Sequence, residues 1–187
     1  MKHLFLLSIL IVCAVVYLYT SKYTHTKSSI DGKYYKTKNN HLAQQSADAM
    51  AQININLLNL IEHIKKQETQ PEYSGRLYAY NPHAIEENIM DMDTTYTINK
   101  GSYVVFCMSP RDTNTGDVYD INTLMYVAIH ELAHIVSLSI GHTEEFKKNF
   151  SNLLKHAIDS GIYTYIDYSK KPQEYCGIMI NNSVISQ

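Results

Sequence analysis

Five consecutive residues, His130-Glu131-Leu132-Ala133-His134, set two imidazoles four positions apart with a carboxylate next to the first. On a helix, positions four apart share a face, so both rings can reach one Zn²⁺ at ~2.0–2.1 Å. Glu131 lies one step round the helix and faces the open side of such an ion. There it can take a proton from water as a general base and hand it to a leaving amine. The zinc lowers the pKa of that water towards ~7 and polarises the scissile carbonyl. The chemistry expected is hydrolysis of peptide bonds by metal-activated water, with Zn²⁺ as cofactor and a protein or peptide as substrate. In a chain with nine His the pattern arises by chance about 0.02 times. Burying His-Glu-His among apolar neighbours costs several kcal/mol unless something compensates, and a metal compensates all three.

A catalytic zinc takes three protein ligands and a water. His142 is the leading third ligand: it follows His134 by eight residues, just past Gly141, where a helix stop lets the chain turn back. Glu144, Glu145 and Glu174 are the other candidates, although Glu144 and Glu145 also suit the positive end of a following helix. His3, His25, His41, His63, His83 and His156 have no ligand spacing and read as solvated or locally hydrogen-bonded. A donor for the tetrahedral oxyanion is expected, and Tyr163, Tyr165, Tyr168 and Tyr175 are equally eligible.

The active segment needs a scaffold. Asn122 is the expected N-cap of a helix to about Ile140 stopped by Gly141; it is apolar nearly all round, so it should be buried. Thr143 caps a second helix whose buried face is Phe146, Phe150, Leu153, Leu154, Ala157 and Ile158, ended by Gly161. Upstream, Ala43, Ala47, Met50, Leu57, Ile61 and Ile64 recur at three- and four-residue steps, which predicts a helix over His41 to Lys66 interrupted only at Asn54. Leu77 to Tyr80 reads as a short strand. Thr94 to Ile98 and Tyr103 to Met108 flank Asn99-Lys100-Gly101, a hairpin signal. The second of these strands, if at an edge, could pair with an extended substrate. Arg111 to Asp120 reads as a polar loop.

Leu4 to Tyr19 is uncharged and apolar. As a helix it rises roughly 24 Å against a ~30 Å hydrocarbon core, with Tyr17, Tyr19 and Tyr23 as an interfacial belt. The expected organisation is therefore an N-terminal membrane anchor (1–21), a polar linker (22–39) and one domain (40–187). The anchor makes the chain a single-pass protein of a host or virion membrane, or a secreted one if the segment is cleaved. Five lysines follow the segment and one precedes it, which favours a cytosolic domain. The net charge of −2 offers no footprint for nucleic acid. Cys107 and Cys176 either pair or stay as thiols, and the absence of CxxC argues against a cysteine-type zinc site.

At HELAH…GHTEEF the chain resembles the minimal zincins of the WLM and SprT-like groups, in which HExxH on a buried helix is followed by a third His and, four residues later, by Phe. The matching residues are His130, Glu131, His134, His142 and Phe146. The longer run from Ile121 to Phe146, with Pro172 and Tyr175-Cys176-Gly177, is similar to metallopeptidase candidates of large DNA viruses. The resemblance covers about 40–180. It implies an α+β, zincin-like fold with a buried active-site helix, further helices and a small sheet, to which the composition adds the transmembrane helix. Two departures stand out: the usual WLM third ligand comes earlier, where Ile140 sits, and Ser137 and Ile140 replace the Gly and His of metzincins. Two other readings compete with the peptidase. One is a non-catalytic, zinc-stabilised membrane or virion structural protein; the other is a metal-independent membrane interaction protein.

Overall fold

The computed structural model describes residues 2–67, 71–90, 94–110 and 116–185. Part of the expected polar loop, 111–115, lies outside them. The elements are helix α1 (Lys2–Thr20), strands β1 (Tyr23–Lys27) and β2 (Tyr34–Lys38), helices α2 (Ala43–Gln67) and α3 (Pro71–Arg76), a 3₁₀ turn (Leu77–Ala79), strands β3 (Ile85–Glu87), β4 (Tyr96–Ile98) and β5 (Tyr103–Phe106), helices α4 (Ile121–Val136) and α5 (Glu144–Asp159), and strands β6 (Gln173–Tyr175) and β7 (Ile178–Ile180). The expected α+β class holds.

The transmembrane helix does not hold. The N-terminal segment is helical, but among the described residues no helix is long and apolar enough to cross a membrane. Its apolar stretch falls about 6 Å short of a hydrocarbon core, and the helix runs at once into β1. The membrane anchor over 1–21, and the single-pass placement drawn from it, are therefore corrected. Residues 22–39, expected to be a linker, carry β1 and β2 of the main sheet. Their β-branched and aromatic residues (Tyr23, Thr24, Thr26, Tyr34, Tyr35, Thr37) suit strands. Thr26 and Thr37 bond across the pair at 2.8 Å.

The five-stranded sheet runs in the order β1-β2-β3-β5-β4. β2, β3 and β5 are parallel, and β1 and β4 are antiparallel additions at the edges. β4, rather than β5, is therefore the edge strand near the active helix. β5 is interior, with Val104, Val105 and Phe106 all buried, which is why it reads as a continuous apolar run. Leu77 to Ala79 is a 3₁₀ turn, not the expected strand, with Tyr80 N closing it onto Leu77 O.

Helix α2 packs on β1, β2 and β3, and α4 packs against α2, α5 and β4. Asn54, the polar break in the α2 stripe, is buried but satisfied: it accepts from Tyr80 Oη at 2.9 Å and donates to Pro82 O at 3.0 Å. The β4–β5 connection holds Asn99, Lys100 and Gly101 at φ 47°, 53° and 103°. Gly is required at the last position, because a Cβ there would lie 2.7 Å from Ala79 O.

Candidate metal centre and cleft

Asp120, not Asn122, caps α4: its carboxylate accepts from Asn122 N and Thr123 N, both at 3.0 Å. A carboxylate two residues earlier also meets the helix dipole. Asn122 instead bonds Thr164 from both ends of its amide. The helix stops at Val136, four residues before the expected end. Ser137 Oγ donates back to Ala133 O at 2.7 Å and accepts from Asn149 Nδ2 at 2.9 Å, and this local bond competes with continuing the helix. Thr143 caps α5 as expected.

The early stop frees residues 137–142 to turn back over α4. His130, His134 and His142 converge, with one ring nitrogen from each lying within 4.8 Å of the others. The Nε2 atoms of His130 and His142 are 3.0 Å apart. Phe146, buried on α5, contacts all three rings, at centroid distances of 4.8, 4.3 and 4.7 Å for His130, His134 and His142. It forms a common apolar wall.

Burial, and then the neighbouring imidazoles, lower the His130 pKa to about 3. Burial, His142 and Lys100 lower that of His134 to about 4. Both rings are thus neutral and able to donate lone pairs. Glu131 is buried beside them, and desolvation raises its carboxyl to about 7.

Do these donors fit zinc? A tetrahedral ion at ~2.0–2.1 Å holds three nitrogens about 3.3 Å apart, within about 1.5 Å of the spacing here, and all three donors are imidazoles. The fit is good.

The other candidates go elsewhere. Glu144 pairs with Lys147 at 2.7 Å on the surface. Glu174 accepts from Tyr119 Oη at 3.1 Å and Gly177 N at 2.6 Å. Glu145 accepts from Leu138 N and Ser139 N, both at 2.9 Å, and from Ser139 Oγ at 2.6 Å. Those three bonds hold its pKa down at about 2. Ile140, where the shorter spacing would place a ligand, is 91% exposed. His63 and His156 pack edge-to-face at 5.9 Å on α2 and α5, outside the cluster.

Two cavities, about 850 and 450 Å³, meet at the cluster and share Thr94, Thr95, His130, Glu131, His142 and Ile178. Tyr96, Thr97 and Lys100 line the smaller. The larger has apolar walls from Tyr126, Val127, Phe146, Phe150 and Ile180.

Of the four tyrosines considered for the oxyanion, only Tyr175 reaches this cleft. Its hydroxyl donates to Cys107 O at 2.8 Å and bonds Thr95 Oγ1, so it positions Thr95 and the cleft wall. Tyr165 bonds Ser183 and Ile185, and Tyr163 and Tyr168 are buried with Tyr126.

The wall itself is the β6–β7 hairpin. Its two-residue turn, Cys176-Gly177, has φ 49° and 80°, the left-handed geometry of tight hairpins. A Cys107–Cys176 disulfide ties it to the end of β5. Sequence reasoning missed Thr94, Thr95, Lys100 and Ile178 as cleft residues. Only the hairpin signal around Lys100 hinted at any of them.

The class defined by fold and site is an α+β protein with a three-imidazole cluster and a buried carboxyl at the centre of a two-lobed cleft. Over 171 residues the chain is 33% identical to the uncharacterized protein R325 of Acanthamoeba polyphaga mimivirus, covering 88% of this chain and 86% of that protein. The chain belongs to the family of that protein. It is also similar to the uncharacterized protein 136R of Invertebrate iridescent virus 6, at 32% identity over 97 residues, covering 51% of this chain and 54% of that protein. A further match is the uncharacterized protein 042R of Invertebrate iridescent virus 3, at 37% identity over 92 residues, covering 48% of this chain and 54% of that protein. These two matches span only about half of each relative. No protein-family profile and no solved structure matches the chain.

Proposed function

We propose that this protein is a zinc metallopeptidase of the minimal zincin kind, similar in plan to the WLM and SprT-like groups. One observation carries the reading: three imidazoles converge within 4.8 Å beside a buried carboxyl with no basic partner among the described residues. His130, His134 and His142 would hold the ion. When bound, zinc supplies a Lewis acid and an acidified water.

The chain's own residues do the rest. Glu131 accepts a proton from the attacking water and passes it to the leaving amine; its burial keeps the carboxyl close to the pKa such a relay needs. Phe146 excludes solvent from the inner faces of the three rings. The edge strand β4 offers main-chain groups along the smaller lobe, where an extended peptide can add as a further strand. The apolar walls of the larger lobe suit a side chain of that peptide.

The test is Glu131→Gln in the full chain, assayed on an unfolded protein with zinc content measured in parallel. The variant should retain zinc and lose hydrolysis by about 10²–10⁴-fold. Wild-type rates in the variant would remove Glu131 from the mechanism. Zinc retained with no hydrolysis even by the wild type would leave a structural metal centre of a non-catalytic protein.

A further inference from the structure

We propose that Lys100 and Glu145 are positioning residues: together they clamp residues 137–139 from opposite sides and so set His142 over the other two imidazoles before any metal arrives. The inference rests on the three histidines being a metal site and names what makes the third one competent.

Beyond Ser137, which is held by Ala133 and Asn149, residues 138–142 have little else to hold them. Leu138 and Ile140 are 72% and 91% exposed, so the core does not anchor the middle of the loop. Gly141, at φ 81°, has open space around it. The polar edges of the loop are instead taken up by full charges. Lys100 Nζ donates to the carbonyl oxygens of Ser137, Leu138 and Ser139, the last two at 3.3 and 3.0 Å. Glu145 takes the opposite edge of the same peptides, accepting from Leu138 N, Ser139 N and Ser139 Oγ. Ser139 Oγ also bonds Thr143 Oγ1 at 2.6 Å, linking the clamped segment to the residue after His142.

Each charge suits its place. A cation belongs at the carbonyls of a helix C-terminus, here that of α4, and an anion in the first turn of a helix, here α5. Lys100 reaches its carbonyls from a left-handed backbone position in the β4–β5 turn, a conformation a non-glycine residue holds only when its surroundings fix it. The two clamping residues come from different elements, so the third ligand is placed only once the hairpin, α4 and α5 have assembled. Lys100 also lines the smaller lobe, so a direct role on substrate is the rival explanation.

The experiment measures Zn²⁺ affinity of the full-length apo-protein by chelator competition, with no peptide present. Near-ultraviolet circular dichroism checks that each variant is folded. Lys100→Met and Glu145→Gln should each weaken Zn²⁺ binding about 10–100-fold, the usual effect of losing a residue that orients a ligand. Lys100→Arg should recover most of the loss. In a His142→Ala background, Lys100→Met should produce no further loss, because the clamp acts only through His142. Wild-type affinity in Lys100→Met, or an equal loss with and without His142, overturns the clamp while leaving the metal site intact. Hydrolysis lost at unchanged affinity also overturns it and assigns Lys100 to the substrate. A wild-type protein that binds no zinc overturns the clamp and the peptidase reading together. Should Lys100→Met fail to fold, Glu145→Gln and Lys100→Arg decide the matter on the same readout.

Discussion

Removing the Cys107–Cys176 cross-link, by reduction or by Cys107→Ala with Cys176→Ala, should loosen the wall of the cleft and cost a calculable part of the stability. The two cysteines are 69 residues apart in sequence, and closing a loop of that size withdraws about 4 kcal/mol of denatured-state entropy at 25 °C. Both are buried, so truncation also leaves small voids. Against this, the hairpin keeps other anchors: Tyr175 Oη on Cys107 O at 2.8 Å and Cys176 N on Tyr119 Oη at 2.8 Å. These do not depend on the sulfur bond and should keep the hairpin docked, though less firmly, in the folded state. A loss of about 2–4 kcal/mol is therefore expected, lowering Tm by roughly 5–15 °C in a chain of this length. Urea unfolding with and without reductant measures it. On the proposed peptidase reading, peptide KM should rise more than kcat falls, because Ile178 and Ile180 line the cleft on this hairpin. Identical urea midpoints for oxidised and reduced protein would refute the reasoning, as would an unchanged KM.

Asp120→Ala should destabilise the protein by about 1–2 kcal/mol through loss of the α4 cap; a change in urea midpoint equivalent to less than about 0.3 kcal/mol would exclude Asp120 as the cap. Gly101→Ala forces a Cβ to 2.7 Å from Ala79 O and 2.8 Å from Ile135 Cδ1 at φ 103°, so a loss of about 1–3 kcal/mol is expected, and wild-type thermal stability would show that the turn relaxes freely. Glu145 has its carboxyl lowered from 4.5 to about 2 by its bonds to Ser139 and Leu138. Its contribution is therefore complete above pH 4.5 and disappears as pH falls towards 2. The stability difference between wild type and Glu145→Gln should shrink over that window, and a difference independent of pH between 5 and 2 would contradict it.

Much of the site's neighbourhood was legible because its signals are local. The apolar periodicity of α2, the Thr143 cap and the Gly161 stop of α5, and the Asn99-Lys100-Gly101 turn each depend on residues within a turn or two of one another. The misreadings came where distant groups intervened. Gly141 was the expected helix stop, but Ser137, held by Asn149 twelve residues away, ends α4 first. Asn122 looked like the cap because it stands just before the apolar run, whereas Asp120 starts the helix two residues earlier by accepting from Asn122 N and Thr123 N. The N-terminal apolar run suggested a membrane span, and its length fell short. Strands β1 and β2 were hidden in a polar stretch because β1 is at an edge and the strand that joins this pair to the rest of the sheet, β3, lies some fifty residues further along the chain.

What the sequence settled by itself is the pairing of His130 with His134 and the position of Glu131 one step round, since helix geometry alone fixes side chains four residues apart. The tertiary structure decided the third imidazole, the roles of the competing carboxylates, the edge strand and the disulfide. The third imidazole and the disulfide depend on chain segments being brought together across 12 and 69 residues, and such long-range closure follows from the packing of the whole core, which no local pattern encodes.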